Sequence, residues 1–169
     1  MATSGLGLLK SQYNIRQAMG TDAINSDSIL VIDGYENMYI KIKSFPDPSS
    51  LIEQPIEVPM PLGNKINIPG QRRTWFTGPV AFIETEERAV GNMLREIVDN
   101  GAYFDCWLYQ GTPDHFVNRK RLIGCWFAFP SDLSRDFSNN TEVLTVEGDM
   151  YGNYFGEMEE GTVKSLIGA

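Results

Sequence analysis

The sequence predicts a predominantly β protein in which strands with one polar face wrap around a single helix. Much of the 169-residue chain falls into short segments of alternating apolar and polar residues, the pattern of half-buried strands. Turn residues separate these segments, and only one stretch has a clear helical spacing of apolar residues. The hydrophobic content of 42% suffices for the core of one domain, expected at residues 28–155.

Residues 1–27 are predicted to form an arm outside this core. Leu8, Ile15 and Met19 fit one weak helical face, but Gly, Asn, Ser and Asp interrupt the pattern. The start, MATSGLGLLKSQYNIRQ, lacks the basic flank and continuous apolar run of a signal peptide, so a cytoplasmic product is expected. No stretch approaches the roughly 20 apolar residues that span a bilayer.

The next two segments predict a hairpin with one face in water. SILVID (28–33) is a short apolar run, and Asp33-Gly34 is a turn signal. In NMYIKIK (37–43), Met38, Ile40 and Ile42 alternate with Tyr39, Lys41 and Lys43.

Five prolines between residues 45 and 62 predict a loop or a sheet edge. Proline removes a backbone donor and keeps the preceding residue extended, so no central strand can hold this segment. KINI (65–68) and RRTWFTGPVAFI (72–83) read as further extended segments, separated by the Pro69-Gly70 turn.

One amphipathic helix is predicted over residues 86–100. Thr85 is its capping residue, Glu86 and Glu87 place negative charge at the positive end of the helix dipole, and Asn100-Gly101 supplies a left-handed stop. The predicted packing face consists of three apolar pairs at helical spacing: Ala89 and Val90, Met93 and Leu94, Ile97 and Val98.

Three strands complete the predicted sheet. YFDCWLYQ (103–110) and RKRLIGCWFAF (119–129) flank a turn, and DLSRDFSNNTEVLTVEGDMYGNYF (132–155) passes from polar turn residues into a long alternating strand. Its apolar face carries Leu144, Val146, Gly148 and Met150, and its polar face carries Val143, Thr145, Glu147, Asp149 and Tyr151. Residues 156–169 are predicted to be a C-terminal extension.

The charge balance excludes a general affinity for polyanions. A formal net charge of −8 means that a DNA duplex or an anionic membrane repels the molecule as a whole. Two basic clusters interrupt the acidic chain, Arg72-Arg73 and Arg119-Lys120-Arg121. They are interpreted either as edge charge that discourages uncontrolled strand pairing or as contacts with an acidic surface of another copy or a partner.

No constellation of residues predicts an enzyme. The single histidine, His115, lies in a turn, and the GxGxxG, GxxxxGK[ST], HExxH and GxSxG motifs are absent. Asp132, Asp136 and the acidic residues of the C-terminal extension are interpreted as solvated surface. Cys106 and Cys125 have no metal-ligand spacing and are predicted to be buried free thiols. We therefore expect no catalytic residue, metal or cofactor.

The order of these elements resembles the tail tube proteins of contractile-tailed bacteriophages. GNKINIPGQRRTW (63–75), the helix and LIGCWFAFPSDLSRDFSNNTEVLTVEGDMYGNYF (122–155) carry the resemblance, which covers roughly residues 30–155. The SNN turn and the Gly-x-Trp strand before it are the most specific parts. The chain departs from the family at Phe127, where proline is common, and in its N-terminal arm and C-terminal extension.

The resemblance implies an antiparallel β-sandwich or barrel whose strands join those of neighbouring copies into a continuous barrel. Six copies would form a ring, and rings would stack into a hollow inner tube of a virion tail assembled in the host cytoplasm. The expected partners are sister copies, the tail sheath protein, and baseplate and tail terminator proteins, with genomic DNA passing through without specific binding. The same fold is implied for type VI secretion tubes and phage-like particles.

Two sets of surface residues are hypothesised from this resemblance. Lumen-lining candidates are Thr145, Glu147, Asp149, Tyr151, Tyr39 and Lys41. Carboxylates suit a bore because they do not bind phosphate through counterion release. Subunit or ring-stacking candidates are Arg72, Arg73, Arg119, Lys120 and Arg121, opposite Glu157, Glu159 and Glu160. The proline-rich loop and both termini are further candidates for reaching adjacent rings or the sheath.

Three alternatives remain open at this point. A tube-like baseplate or terminator protein would share the fold and form a single ring, and the inner tube of a contractile injection or secretion system would carry effectors instead of DNA. A monomeric β-barrel binding module or hydrolase would use a pocket beside the helix, but the sequence offers no convergent polar residues for such a pocket.

Overall fold

A computed structural model describes residues 3–19, 22–130, 135–136, 138–139, 141–164 and 166. These residues form two α-helices, α1 (Thr3–Ala18) and α2 (Ala89–Asp99). The strands are β1 (Ser28–Ile32), β2 (Ile42–Ser44), β3 (Leu51–Ile52), β4 (Ile56–Pro59), β5 (Lys65–Ile68), β6 (Arg72–Arg73), β7 (Trp75–Ile83), β8 (Phe104–Gly111), β9 (Phe116–Ala128), β10 (Thr145–Asn153) and β11 (Met158–Glu160). The predominantly β class predicted from the sequence is confirmed.

The main sheet is antiparallel and nearly closes into a barrel. Its strand order is β1-β8-β9-β10-β7-β2, and β11 pairs with part of the remaining edge of β9. The 13-residue strand β9 belongs to both halves of the barrel, because most of it pairs with β8 while its last residues also pair with β10. Two small ribbons, β3–β6 and β4–β5, lie outside this sheet.

The core lies between the inner faces of the sheet and helix α2. Leu30, Ile32, Phe82, Leu122 and Met150 are 0–1% exposed and come from four different strands, β1, β7, β9 and β10. Each fully buried side chain of this size contributes about 1.5–3 kcal/mol. The inner face of β10 follows the alternation predicted from the sequence, because Val146 and Met150 are buried.

Helix α2 begins three residues later than predicted, at Ala89. Arg88 occupies the capping position with a left-handed backbone (φ 58°), so Glu86 and Glu87 precede the helix instead of forming its first turn. The capping position predicted at Thr85 is therefore wrong, although the Thr85 Oγ1 still accepts the Ala89 N–H at 2.9 Å. The predicted stop is confirmed by Gly101, whose φ is 103°.

The face that α2 presents to the core is narrower than the predicted apolar pairs. Val90, Met93 and Ile97 are buried, and Leu94 packs against the core. Ala89 is half-buried. Val98, assigned to the packing face from the sequence, is 65% exposed. The residues at i, i+3, i+4 and i+7 from Val90 face the sheet, and Val98 lies one residue beyond that stripe.

The predicted hairpin of residues 28–43 is wrong in its second half. The first segment forms β1, but β1 pairs with β8, and residues Glu36–Lys41 form a 3₁₀ helix. Only Ile42–Ser44 is a strand, and it pairs with β7. Tyr35, Met38 and Ile42 pack against the core, and their spacing of three and four residues is helical rather than alternating. The apolar alternation of this short segment therefore indicated the wrong period.

The segments outside the main sheet contain secondary structure of their own. Residues 3–18 are helical, and the helix residues whose burial is described are all exposed. The proline-rich region contains β3 and β4, each of which joins a two-stranded ribbon and not the central sheet. Asp132, Phe137 and Asn140 of the predicted turn before β10 lie outside the described residues.

Candidate lumen and assembly surfaces

The outer face of β10 carries four of the six lumen-lining candidates. Thr145, Glu147, Asp149 and Tyr151 alternate with the buried residues of the strand, so all four point away from the core. Glu147 is exposed, and the other three are half-buried. Among the described residues, neither carboxylate forms a salt bridge. Strand β10 therefore presents negative charge to water.

The neighbouring strands make the rest of this face small or aromatic. Glu147 lies opposite Ala81, and Asp149 lies opposite Pro79, on β7. On the β9 side, the rings of Tyr151 and Trp126 stack with centroids 4.3 Å apart and planes 9° from parallel. The stacked pair fixes the end of β10 against β9 at a position where their register pairs the two residues.

A shallow groove at the start of β10 mixes both signs of charge. It is lined by Lys43 and Arg135 as well as by Asp136, Glu142 and Glu147. Three carboxylates face two cations there, so the groove retains a small negative excess. The carboxylates of β10 thus extend into a surface that is acidic but not purely so.

The other two lumen candidates lie elsewhere in the fold. Tyr39 and Lys41 belong to the 3₁₀ helix that precedes β2, and both are half-buried. Strand β2 is separated from β10 by β7 in the sheet. The sequence assigned the two residues to a polar strand face, and that face does not exist because the segment is helical. They do not join the outer face of β10.

The basic cluster of β9 finds its acidic partners within the same chain. Arg119 binds Glu159 on β11 through Nε at 2.7 Å, and β11 places these two residues opposite each other. Lys120 binds Asp47 at 2.6 Å, and Arg121 binds Asp33 at 2.7 Å. Arg119 and Glu159, predicted from the sequence to lie opposite each other at a contact between copies, pair within one chain, and a role of these residues at such a contact stays a prediction. Strand pairing brings Glu159 to Arg119 from 40 residues away.

Trp107 connects two of these arginines. The guanidinium carbons of Arg119 and Arg121 lie 4.2 Å and 4.8 Å from its ring centroid. The hydrogen bond to Glu159, followed by that to Tyr109, raises the pKa of Arg119 above its ordinary value. The hydrogen bond to Asp33 raises the pKa of Arg121 in the same way. Because this network satisfies its own charges, it ties β11, β9 and β8 together.

Arg72 and Arg73 are held differently. Arg72 donates to Ser50 Oγ at 2.9 Å, and its guanidinium lies against Gly156, where a Cβ would approach Nη2. Arg73 donates to the Trp75 carbonyl at 3.0 Å, and its guanidinium carbon lies 3.7 Å from the centroid of the Trp75 ring. Within the described part of the chain neither arginine has a carboxylate partner. Their charges remain available to a second molecule.

Strands β4 and β5 with their connecting turn, residues 56–68, form an amphipathic projection that we call the hairpin arm. Ile56 pairs with Ile68 and Val58 with Ile66, so all four side chains share one face. The three isoleucines are 49%, 41% and 47% exposed in the order Ile56, Ile68, Ile66. Leu62, at the tip, is 98% exposed.

The opposite face of the hairpin arm is polar. Lys65 and Glu57 form a salt bridge of 2.9 Å there, and Asn67 lies opposite Glu57. A two-stranded ribbon is at best marginally stable in water, so its exposed apolar face is a candidate interaction surface. The alternation in IEVP and KINI was the sequence signal for this ribbon, but the prolines around it favoured a loop.

The described residues contain no group of three or more His, Cys, Asp and Glu side chains arranged to hold a metal ion. His115 is exposed in a tight turn, where its N–H donates to the Thr112 carbonyl at 3.1 Å. The helix N-terminus of α2 is occupied by the chain's own Glu84, whose carboxylate accepts the N–H groups of Thr85, Val90 and Gly91 at 2.9–3.0 Å. Of the helices described, none is long and apolar enough to cross a membrane.

Neither a protein-family model nor a curated protein matches this chain. Solved structures do match in fold. A chain of the sheath-tube complex of an extracellular contractile injection system in the extended state (PVC) is similar over 86% of this chain and 96% of its own, with a TM-score of 0.57 and 13% identity. The tube-terminating cap of the anti-feeding prophage is similar over 85% and 93%, with a TM-score of 0.58 and 14% identity.

A third structure, the PVC sheath/tube terminator in the extended state, is similar over 82% of this chain and 97% of its own, with a TM-score of 0.52 and 12% identity. The match spans nearly the whole of all three chains. At these identities the likeness is one of fold, and it assigns the chain a tail-tube-like fold.

Proposed function

We propose that this chain is a non-enzymatic structural subunit that assembles with copies of itself into rings, which stack into the inner tube of a contractile tail or injection apparatus. The proposal draws on the fold shared with tube-complex and terminator chains. It draws equally on surfaces that one chain leaves unpartnered. The observation that carries it is the apolar face of the hairpin arm, where Ile56, Ile66 and Ile68 are 41–49% exposed.

The edges of the sheet support self-assembly as well as the hairpin arm does. Strands β1 and β2 end the main sheet, and each has one hydrogen-bonded neighbour strand. A free edge pairs readily with another strand. A head-to-tail contact through such edges closes into a ring, and a second contact along the axis builds a filament. We assign the ring contact to the sheet edges and the axial contact to the hairpin arm, with six copies in each ring.

The outer face of β10 is proposed to line the bore. Glu147 and Asp149 would repeat around each ring, and carboxylates neither neutralise phosphates nor release counterions from DNA. A duplex could therefore pass without sticking, in keeping with a conduit for genomic DNA in a virion assembled in a host cytoplasm. The sheath, baseplate and terminator proteins would be the partners at the outside and the ends of such a tube.

A terminator ring is the second candidate. Two of the three similar structures are a cap and a terminator. The cap has a TM-score of 0.58, against 0.57 for the sheath-tube complex. A terminator would form a single ring, because one of its axial faces does not bind a further copy. The third possibility, a monomeric β-barrel module, would leave the isoleucines of the hairpin arm permanently in water, which is unfavourable.

The test is light scattering coupled to gel filtration, followed by negative-stain microscopy of the purified chain. The tube subunit gives hollow filaments of stacked rings whose length grows with protein concentration. A terminator gives single rings under all concentrations. A monodisperse monomer at the highest soluble concentration, without rings in the images, would overturn the proposal.

A further inference from the structure

Two cysteine side chains meet in the core at the junction of β8 and β9. Cys106 and Cys125 are both 0% exposed, and their Sγ atoms lie 3.8 Å apart. They are the only cysteines in the sequence. A disulfide bond is about 2.05 Å long, so the sulfurs must approach by less than 2 Å to form one. Small rotations about the two Cα–Cβ bonds can supply a movement of that size.

A β-bulge places both sulfurs on the same face. Phe104 pairs with Cys125 and Cys106 pairs with Leu122, so β9 contains one residue more than β8 between these pairs. In a regular strand, Leu122 and Cys125 are three residues apart and would point to opposite faces of the sheet. Gly124 adopts a φ of 60° in the bulge, and its N–H donates to Asp105 Oδ1 at 2.9 Å. The bulge is thus held by a specific contact.

The packing around Cys125 also keeps space for its sulfur. Gly152, on β10, lies directly against it, and a Cβ at that position would come within 2.6 Å of the Cys125 Sγ. The absence of a side chain there leaves the sulfur free to turn toward Cys106. Nothing in this arrangement depends on a second copy of the chain, so the inference below does not rest on the proposed assembly.

We propose that Cys106 and Cys125 form a site of reversible oxidation, a latent disulfide that joins β8 to β9 inside one chain. With a hydroperoxide as oxidant, one thiolate attacks the peroxide oxygen and becomes a sulfenic acid as the O–O bond breaks. The second thiol then attacks that sulfur, an S–S bond forms, and water leaves. In total, two thiols and one hydrogen peroxide give one disulfide and two waters. A dithiol reductant reverses the step by exchange.

Burial sets the rate of this reaction. Desolvation, and then the hydrogen bond with Cys125, raises the pKa of the Cys106 thiol well above its ordinary value. Because the thiolate is the nucleophile, oxidation of the folded chain is slow at neutral pH and accelerates as the pH rises. The oxidant must also be small, since both sulfurs lie within the core.

The experiment uses the reduced full chain, incubated with hydrogen peroxide at pH 8.5, unfolded in denaturant and alkylated before mass spectrometry. The expected product is a monomer that has lost two hydrogens and takes up no alkylating agent. Its melting temperature should exceed that of the reduced chain by roughly 6–12 °C, because the disulfide closes a loop between two cysteines that are 19 residues apart. Dithiothreitol should abolish the difference.

A Cys125→Ala variant is the matched control. Its Cys106 has no resolving partner, so peroxide should leave a sulfenic acid that reacts with dimedone, or its sulfinic product. The wild type should not accumulate either species. Two freely alkylated thiols after prolonged oxidation, a sulfinic acid in the wild type, or a covalent dimer on a non-reducing gel would each overturn the proposal.

Discussion

Replacing Ile56 and Ile66 of the hairpin arm by threonine should weaken the axial contact between copies by roughly 30- to 150-fold. The two side chains are 49% and 47% exposed, which together amounts to about one whole isoleucine. Burying one isoleucine contributes about 1.5–3 kcal/mol, and an unpaired hydroxyl buried in its place costs about 1–3 kcal/mol. Since threonine keeps one methyl, we expect a net loss of about 2–3 kcal/mol, at 1.4 kcal/mol per tenfold.

The assay is the critical concentration for filament formation, measured by sedimentation and checked by negative-stain microscopy. Threonine is β-branched, so the strands keep their local preference, and unfolding in urea should change by no more than about 1 kcal/mol. Asn67→Thr introduces the same residue on the polar face of the same strand and serves as the control. A double variant with the critical concentration of the wild type, or a control that loses assembly equally, would refute the reasoning.

Three further predictions concern the single chain. Glu84→Ala removes the acceptor of three backbone N–H groups and should destabilise the chain by about 2–3 kcal/mol in urea unfolding, whereas the exposed Glu87→Ala should change stability by less than about 0.5 kcal/mol. Gly152→Ala places a Cβ 2.6 Å from the Cys125 sulfur and should cost about 1–3 kcal/mol, measured as a lowered urea midpoint. Burial raises the pKa of the Cys106 thiol in the folded chain. Under reducing conditions the free energy of unfolding should therefore be unchanged below about pH 8.5, where the unfolded thiol is also protonated, and should fall as the pH rises above that value. Cys106→Ala should flatten this pH dependence.

The parts of the fold that were predicted correctly are those in which local pattern and burial agree. Strand β10 alternates without interruption, so its two faces could be assigned from Val146, Met150 and Glu147 alone. In α2, Val90, Met93 and Ile97 lie at helical spacing and all face the core. The assignment failed at Val98, because adjacent apolar residues widen the apparent stripe beyond the face that the sheet can cover.

Short apolar segments carried less information. Residues 38–43 fit an alternating pattern, yet Met38 and Ile42 reach the core from a 3₁₀ helix and the strand after it. Met38 and Ile42 lie four residues apart, a spacing that fits both an alternating strand and a helix, so a segment of six residues does not distinguish the two. Only packing against the rest of the chain decides between a strand and a helix here, and the local sequence pattern carries no information about that packing.

The partners of the basic residues were also beyond local sequence. Lys120 binds Asp47 across 73 residues, and Arg119 binds Glu159 across 40. Pairing of β11 with β9 brings Glu159 to Arg119, and Asp47 reaches Lys120 from the segment between β2 and β3, so the sequence shows the charges but not which of them meet. The sequence did not predict the hairpin arm for a different reason. Proline argues against a central strand, but β4 belongs to a ribbon outside the main sheet, where proline is tolerated.

A cryo-electron microscopy map of the assembled chain tests the central claim most directly, because it locates Glu147 and Asp149 relative to the axis. We expect rings of six copies in which the outer face of β10 lines a water-filled bore and the hairpin arm contacts the next ring. A map in which that face is buried between copies or directed away from the axis, or a chain that stays monomeric on the grid, would contradict the account.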